Sequence, residues 1–106
     1  MNDIKWSHAE KNLSRKVFEQ ALESELSEVV AEFKAKATAT STPEEMWNVR
    51  RFLASKEREI DEKYDYRYSQ LILVFSRLLR EGRIREEQLA GLSEEKLSYI
   101  RRILSL

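Results

Sequence analysis

TPEEMWNVRRFLASKEREIDEKYDYRYSQLILVFSRLLREG, residues 42–82, holds no Gly or Pro across the 38 positions between Pro43 and Gly82. Its ends carry helix punctuation. Thr42 is a helix cap, Pro43 suits the first helical position, and Glu45 completes a capping box. Gly82 is a C-cap glycine. Read as one helix, the stretch is about 58 Å long at 1.5 Å per residue. A compact chain of this size has a radius of gyration of about 13 Å. Such a helix projects beyond its own fold, and a second copy of the chain is the simplest cover for it.

Upstream, Trp6-Ser7-His8-Ala9-Glu10 reads as another helix start, with Ser7 as cap, Glu10 three residues on and Trp6 as a staple. Residues 1–6 are expected to fray. Leu13, Val17, Ala21, Leu22, Leu26, Val29, Val30, Phe33 and Ala37 follow at helical spacing. Thr38-Ala39-Thr40-Ser41 is the first loop, since these small and β-branched residues are poor helix formers. Downstream of Gly82 a short helix is expected over Ile84–Ala90. A last helix follows, capped by Ser93, with Leu97, Ile100, Ile103 and Leu104 as its apolar face. The apolar run Leu71–Leu79 is expected to pack on Ile84, Leu89, Leu92, Leu97 and Ile100. A competing reading makes Tyr64–Tyr68 and Leu71–Phe75 two strands, because the tyrosines alternate and the second run is continuous. The absence of a turn residue between them favours helix. The fold expected is all-α: two long antiparallel helices plus two short C-terminal helices forming a small head, in an elongated homodimer. A single domain covers 1–106, with a stem over 7–70 and a head over 71–106.

Composition bounds the chemistry. The chain has 106 residues, 19 basic and 19 acidic groups and 42% hydrophobic residues. Balanced charge gives no global pull toward nucleic acid or anionic membrane. The longest apolar run, Leu71–Phe75, is far short of the roughly 20 residues of a membrane span. Without an apolar N-terminal segment or cysteine, the reading is a cytoplasmic protein lacking disulfides or thiolate chemistry. His8 is the single histidine, so two-histidine metal motifs and a di-iron pattern fail. Glu57, Glu59, Asp61, Glu62 and Asp65 read as a solvated helix face laced with Lys56, Arg58 and Lys63. Neither an enzyme nor a cofactor is expected.

Two constellations remain. Trp47, Arg50, Arg51, Ala54 and Arg58 share one side of a helix, and aromatic-plus-arginine is the composition of interface hot spots. The bland alternative buries Trp47 against the first helix, with the arginines snorkelling outward. Nucleic-acid contact is a third reading, disfavoured by the neutral net charge. Tyr64, Arg67, Tyr68 and Leu71 form a second group, suited to core or dimer packing, in which buried tyrosine hydroxyls need partners.

Met46–Lys56, followed by Glu59–Arg67 with its Glu-Ile-Asp-x-Lys-Tyr-Asp-x-Arg pattern, resembles the cyanobacterial fluorescence recovery protein family. Phe75–Gly82 shares the resemblance, which extends more weakly to Trp6-Ser7 and Gln88-Leu89. The resemblance implies an all-helical dimer that binds the C-terminal domain of photoactivated orange carotenoid protein. It speeds that protein's return to the resting orange form, ending energy quenching at the phycobilisome. It also implies a partner-binding patch. Trp47 matches the family's tryptophan, Arg50 and Arg51 stand in place of a His–Asp pair, and Glu57 replaces an arginine. Leu73 takes the place of an exposed aromatic and Tyr99 that of a basic residue. The expected dimer contacts are Leu26, Val30, Phe33, Trp47, Ile60 and Tyr64. A helical adaptor on the same fold with an unrelated protein partner is the alternative function.

Overall fold

The computed structural model describes residues 4–106 and contains only helices among them: α1 (His8–Ala39), α2 (Pro43–Lys63), α3 (Leu71–Arg80), a short 3₁₀ turn (Glu86–Leu89) and α4 (Glu94–Leu104). The fold class is as the sequence reads. The caps also fall where expected. Ser7 Oγ accepts from Glu10 N at 3.1 Å while Ser7 N donates to Glu10 Oε1 at 3.0 Å. Glu45 N donates to Thr42 Oγ1 at 3.2 Å, and Lys96 N donates to Ser93 Oγ at 3.3 Å.

The stretch 42–82 is not one helix. It breaks between Lys63 and Leu71, and the three tyrosines explain the break. In a helix Tyr64 and Tyr68 share a face but Tyr66 points to the opposite one, whereas an extended chain puts all three on one side. Here they gather on an aromatic ledge. Tyr64 and Tyr66 meet Phe18 edge-on at 5.4 and 4.8 Å, Tyr66 meets Tyr68 at 5.7 Å, and Tyr68 meets Trp6 at 5.8 Å. Each such contact is worth about 0.5–1.5 kcal/mol beyond burial, comparable to the roughly 1 kcal/mol net of each helical hydrogen bond given up. The alternation that suggested a strand marks an extended segment, and no strand forms among the described residues. The turn resumes where Gln70 N and Leu71 N both donate to Arg67 O.

Two compact units result, 22–63 and the remainder of the chain. The expected division at residue 70 therefore differs, because the break frees Tyr64–Gln70 to pack with the head. In the head, Leu71, Ile72, Val74, Phe75 and Leu78 of α3 are buried with Ile84, Leu89, Leu92 and Ile100, and α3 packs on α4. Full burial of a Leu or Phe contributes about 1.5–3 kcal/mol. The start of α1 joins this core through Val17, Phe18 and Ala21. Of the frayed segment expected over 1–6, Met1–Asp3 lie outside the described residues, but Trp6 is buried and clamped between Tyr68 and Lys96, whose Nζ lies 4.9 Å from its ring. The helix expected over Ile84–Ala90 shrinks to the 3₁₀ turn. Gly82 ends α3 at φ 73°, with Gly82 N donating to Leu79 O and Arg83 N to Leu78 O, the double bond of a Schellman cap.

The unit 22–63 is an antiparallel helix pair. Lys36 lies 4.9 Å from the Phe52 ring near one end, and Lys63 Nζ donates to Glu25 Oε2 at 2.7 Å near the other. Both members of that ion pair are almost wholly buried.

Candidate functional site

The helix pair 22–63 leaves its apolar side chains uncovered. On α1 the stripe begun by Val17 and Ala21 continues through Leu26, Val30 and Phe33, and these three are exposed. On α2, Met46, Trp47 and Leu53 are exposed as well. A monomer normally exposes large apolar residues singly, and a clustered set marks a contact surface. The burial that the sequence left open for Trp47 is settled: the residue is 49% exposed, so it is not core within its own chain. Sequence reasoning placed Met46 and Leu53 among helix-forming apolar residues without marking them as surface. Their spacing of seven, on the same side as Arg50, was the available signal.

Around Trp47 the surface is cationic. Trp47, Arg50, Arg51 and Ala54 line a shallow depression on α2. Arg51 donates to Asn48 Oδ1 one turn back, which holds its guanidinium along the helix. Neither Arg50 nor Glu57 makes an ion pair or side-chain hydrogen bond among the described residues. Arg51 and Glu57 do not pair with each other either. Of the lacing expected along the acidic run, Lys56 to Glu59 forms at 3.4 Å, whereas Lys63 is buried against Glu25 instead and Asp65 accepts from Arg67 Nε at 2.8 Å. That guanidinium holds the Asp65 carboxyl below the usual carboxylate range.

Beside this patch an apolar groove runs between α1 and α2, lined by Leu22, Leu26, Val29, Leu53 and Ile60, with Glu57, Lys56 and Asp61 on its rim. Ile60 is 9% exposed and forms part of the floor. The sequence-predicted residues Leu26, Glu57 and Ile60 line this groove, whereas Trp47 lines the depression with Arg50, Arg51 and Ala54. Tyr64 sits elsewhere, half-buried and edge-on to Phe18 of its own chain. Leu73 and Tyr99 belong to the head. Leu73 is the exposed member of α3 at 45%, and Tyr99 is half-buried with the Arg102 guanidinium 6.0 Å from its ring.

The arrangement suits protein contact. Among the described residues no cluster of three or more His, Asp or Glu could hold a metal ion, and no helix is long and apolar enough to cross a membrane.

Residues 6–104 match the family described as "Photoprotection regulator fluorescence recovery protein". The fluorescence recovery protein of Synechocystis sp. is 37% identical over 101 residues, spanning 95% of this chain and 93% of that protein. Its solved structure superposes with a TM-score of 0.89 at 36% identity, over 96% of this chain and all of the other. The Fremyella diplosiphon fluorescence recovery protein gives a TM-score of 0.87 at 36% identity, over 95% of this chain and 98% of that one.

Proposed function

The chain belongs to the fluorescence recovery protein family of photoprotection regulators, and from that premise we propose that it is a non-enzymatic, dimeric regulator of a carotenoid protein in the cytoplasm. It binds the C-terminal domain of photoactivated orange carotenoid protein and accelerates the return to the resting orange state. The observation that carries this reading is the family match over nearly the whole chain, joined to exposed Trp47 beside unpaired Arg50. Leu73 and Tyr99 of the head supply further contact to the carotenoid protein.

The mechanism needs no bond chemistry. A binder speeds a partner's rearrangement only by holding the transition arrangement more tightly than the ground arrangement. Each tenfold of acceleration corresponds to about 1.4 kcal/mol of such differential affinity, which a single well-placed apolar anchor supplies.

The test is optical. Orange carotenoid protein is photoconverted to the red form, this protein is added in the dark, and the red-to-orange relaxation is followed. The expected result is a faster relaxation that saturates with added protein. An unchanged rate at severalfold molar excess would count against this partner and favour the adaptor reading.

A further inference from the structure

We propose that the aromatic ledge of Tyr66 and Tyr68 is a docking surface for an acidic face of the carotenoid protein. Lys11 and Arg15 of α1 meet the carboxylates of that face, and Tyr68 continues the apolar contact begun by Leu73. This deepens the function proposed above and rests on it.

The placing of the two cations carries the inference. Lys11 and Arg15 lie one helical turn apart, and both are exposed. The Lys11 ammonium lies 5.2 Å from the Tyr68 ring, and the Arg15 guanidinium lies 4.5 Å from the Tyr66 ring. The rings are fixed in turn, Tyr66 against Phe18 and Tyr68 against Trp6. A long cationic side chain normally loses rotamer freedom when a partner immobilises it. Here an aromatic face already holds each one, so less is lost on binding. Neither charge is committed within the chain. Lys11 makes no ion pair among the described residues. Arg15 meets Glu19 at 3.5 Å, with the two side chains 59% and 61% exposed. Such a surface pair contributes little, so the guanidinium is available to a partner's carboxylate. Asp65, the carboxylate of the ledge segment, is taken up by Arg67.

Exposure supplies the second observation. Tyr68 is 37% exposed and Leu73 45%, and only the turn 68–70 and the buried residues Leu71 and Ile72 lie between them. Five residues of chain span at most about 18 Å. One side of a standard interface covers about 800 Å², roughly 30 Å across, so a single docking face reaches both. Tyrosine, tryptophan and arginine are the residues in which interface energy concentrates. Tyr66, Tyr68 and Arg15 supply that composition, and Lys11 with Arg15 sets the sign. A carboxylate-bearing face is attracted, and a basic one is repelled.

The red-to-orange relaxation, run on the full chain over a salt series, tests the surface. Lys11→Glu/Arg15→Glu is expected to raise the concentration needed for half-maximal acceleration about tenfold or more at low salt. The ratio of variant to wild type is expected to shrink toward one in 1 M salt, where the screening length is about 3 Å. Lys11→Arg/Arg15→Lys, which keeps both charges, is expected to stay near wild type. Should the reversed variant fail to fold by circular dichroism, Lys11→Gln/Arg15→Gln carries the same test, with an expected rise of about threefold. A wild-type chain that accelerates the relaxation no better than the reversed variant overturns the ledge and leaves the carotenoid-protein reading standing. Lys11 and Arg15 then serve only the ledge's own packing, and their loss shows as a lower thermal midpoint alone. A difference that persists undiminished in 1 M salt marks a structural defect and also overturns the surface. A wild-type chain without effect on the relaxation overturns the reading itself and this surface with it.

Discussion

Glu10 closes two helix ends with one carboxylate. Its Oε1 accepts from Ser7 N and from Lys96 Nζ at 3.1 Å, and its Oε2 accepts from Ser93 N at 2.8 Å. Burial works to raise its pKa, but the Ser7 and Ser93 N–H donors and the Lys96 ammonium outweigh it and lower the pKa from 4.5 to about 2. A carboxylate whose pKa is depressed by folding stabilises fully above its unfolded pKa, and the contribution fades as pH falls toward the folded one. Stability from Glu10 is therefore present above about pH 4.5 and is lost between there and about pH 2. Glu10→Gln is expected to cost about 3–4 kcal/mol at pH 7, at about 1.4 kcal/mol per pKa unit. The gap between variant and wild type should shrink by roughly half at pH 3, read by urea titration at both pH values. Gly82 acts through its backbone alone. A Cβ there would meet nothing within 4 Å, yet φ is 73°. Gly82→Ala should cost about 1 kcal/mol and Gly82→Asn less, since Asn tolerates the left-handed region.

At the scale of elements, capping was legible because each cap is local. Ser7 with Glu10, Thr42 with Glu45, and Ser93 lie within three residues of the groups they satisfy. The break after Lys63 was not legible as a break, because its cause is remote. Phe18 and Trp6 lie more than forty positions from the tyrosines they receive, and nothing in residues 64–70 alone forbids a helix. The alternation of Tyr64, Tyr66 and Tyr68 was the only local trace. Tyr66→Phe is expected to cost little, since its hydroxyl makes a long 3.4 Å contact to Lys11 O and a side-chain hydrogen bond to Tyr68, both of which water can replace. Tyr66→Ala should cost about 2 kcal/mol by removing the rings' shared contacts, visible as a lower thermal midpoint by circular dichroism. The Lys63–Glu25 pair was illegible for the same reason, being 38 positions apart and 2.7 Å long. Lys63→Met alone should destabilise by about 3 kcal/mol or more, because it removes the ammonium that neutralises the buried Glu25 carboxylate. Lys63→Met with Glu25→Leu should recover most of that loss.

For the whole molecule, the candidate surface was half legible. Helical spacing gathered Trp47, Arg50 and Arg51, but whether Trp47 was core or surface depended on what α1 left uncovered, and a one-dimensional pattern does not contain that. In the proposed function, Trp47 with Arg50 on α2 and Leu73 with Tyr99 in the head each contribute contact to the carotenoid protein. Leu73 stands out because its neighbours Ile72 and Val74 are 2% and 5% exposed while it is 45% exposed, so it does not contribute to the head's own core. Leu73→Glu should leave both the fold and the dimer intact, measured by circular dichroism and sedimentation. It forfeits the burial of a leucine against the partner, about 1.5–3 kcal/mol, and places a charge where desolvation opposes docking. At about 1.4 kcal/mol per factor of ten, the concentration needed for half-maximal acceleration of the red-to-orange relaxation should rise about ten- to a hundredfold. A saturating excess should restore part of the rate if Leu73 contributes uniform binding. The maximal rate itself should fall if that contact forms only in the transition arrangement. An unaltered concentration dependence would remove Leu73 from the docking surface.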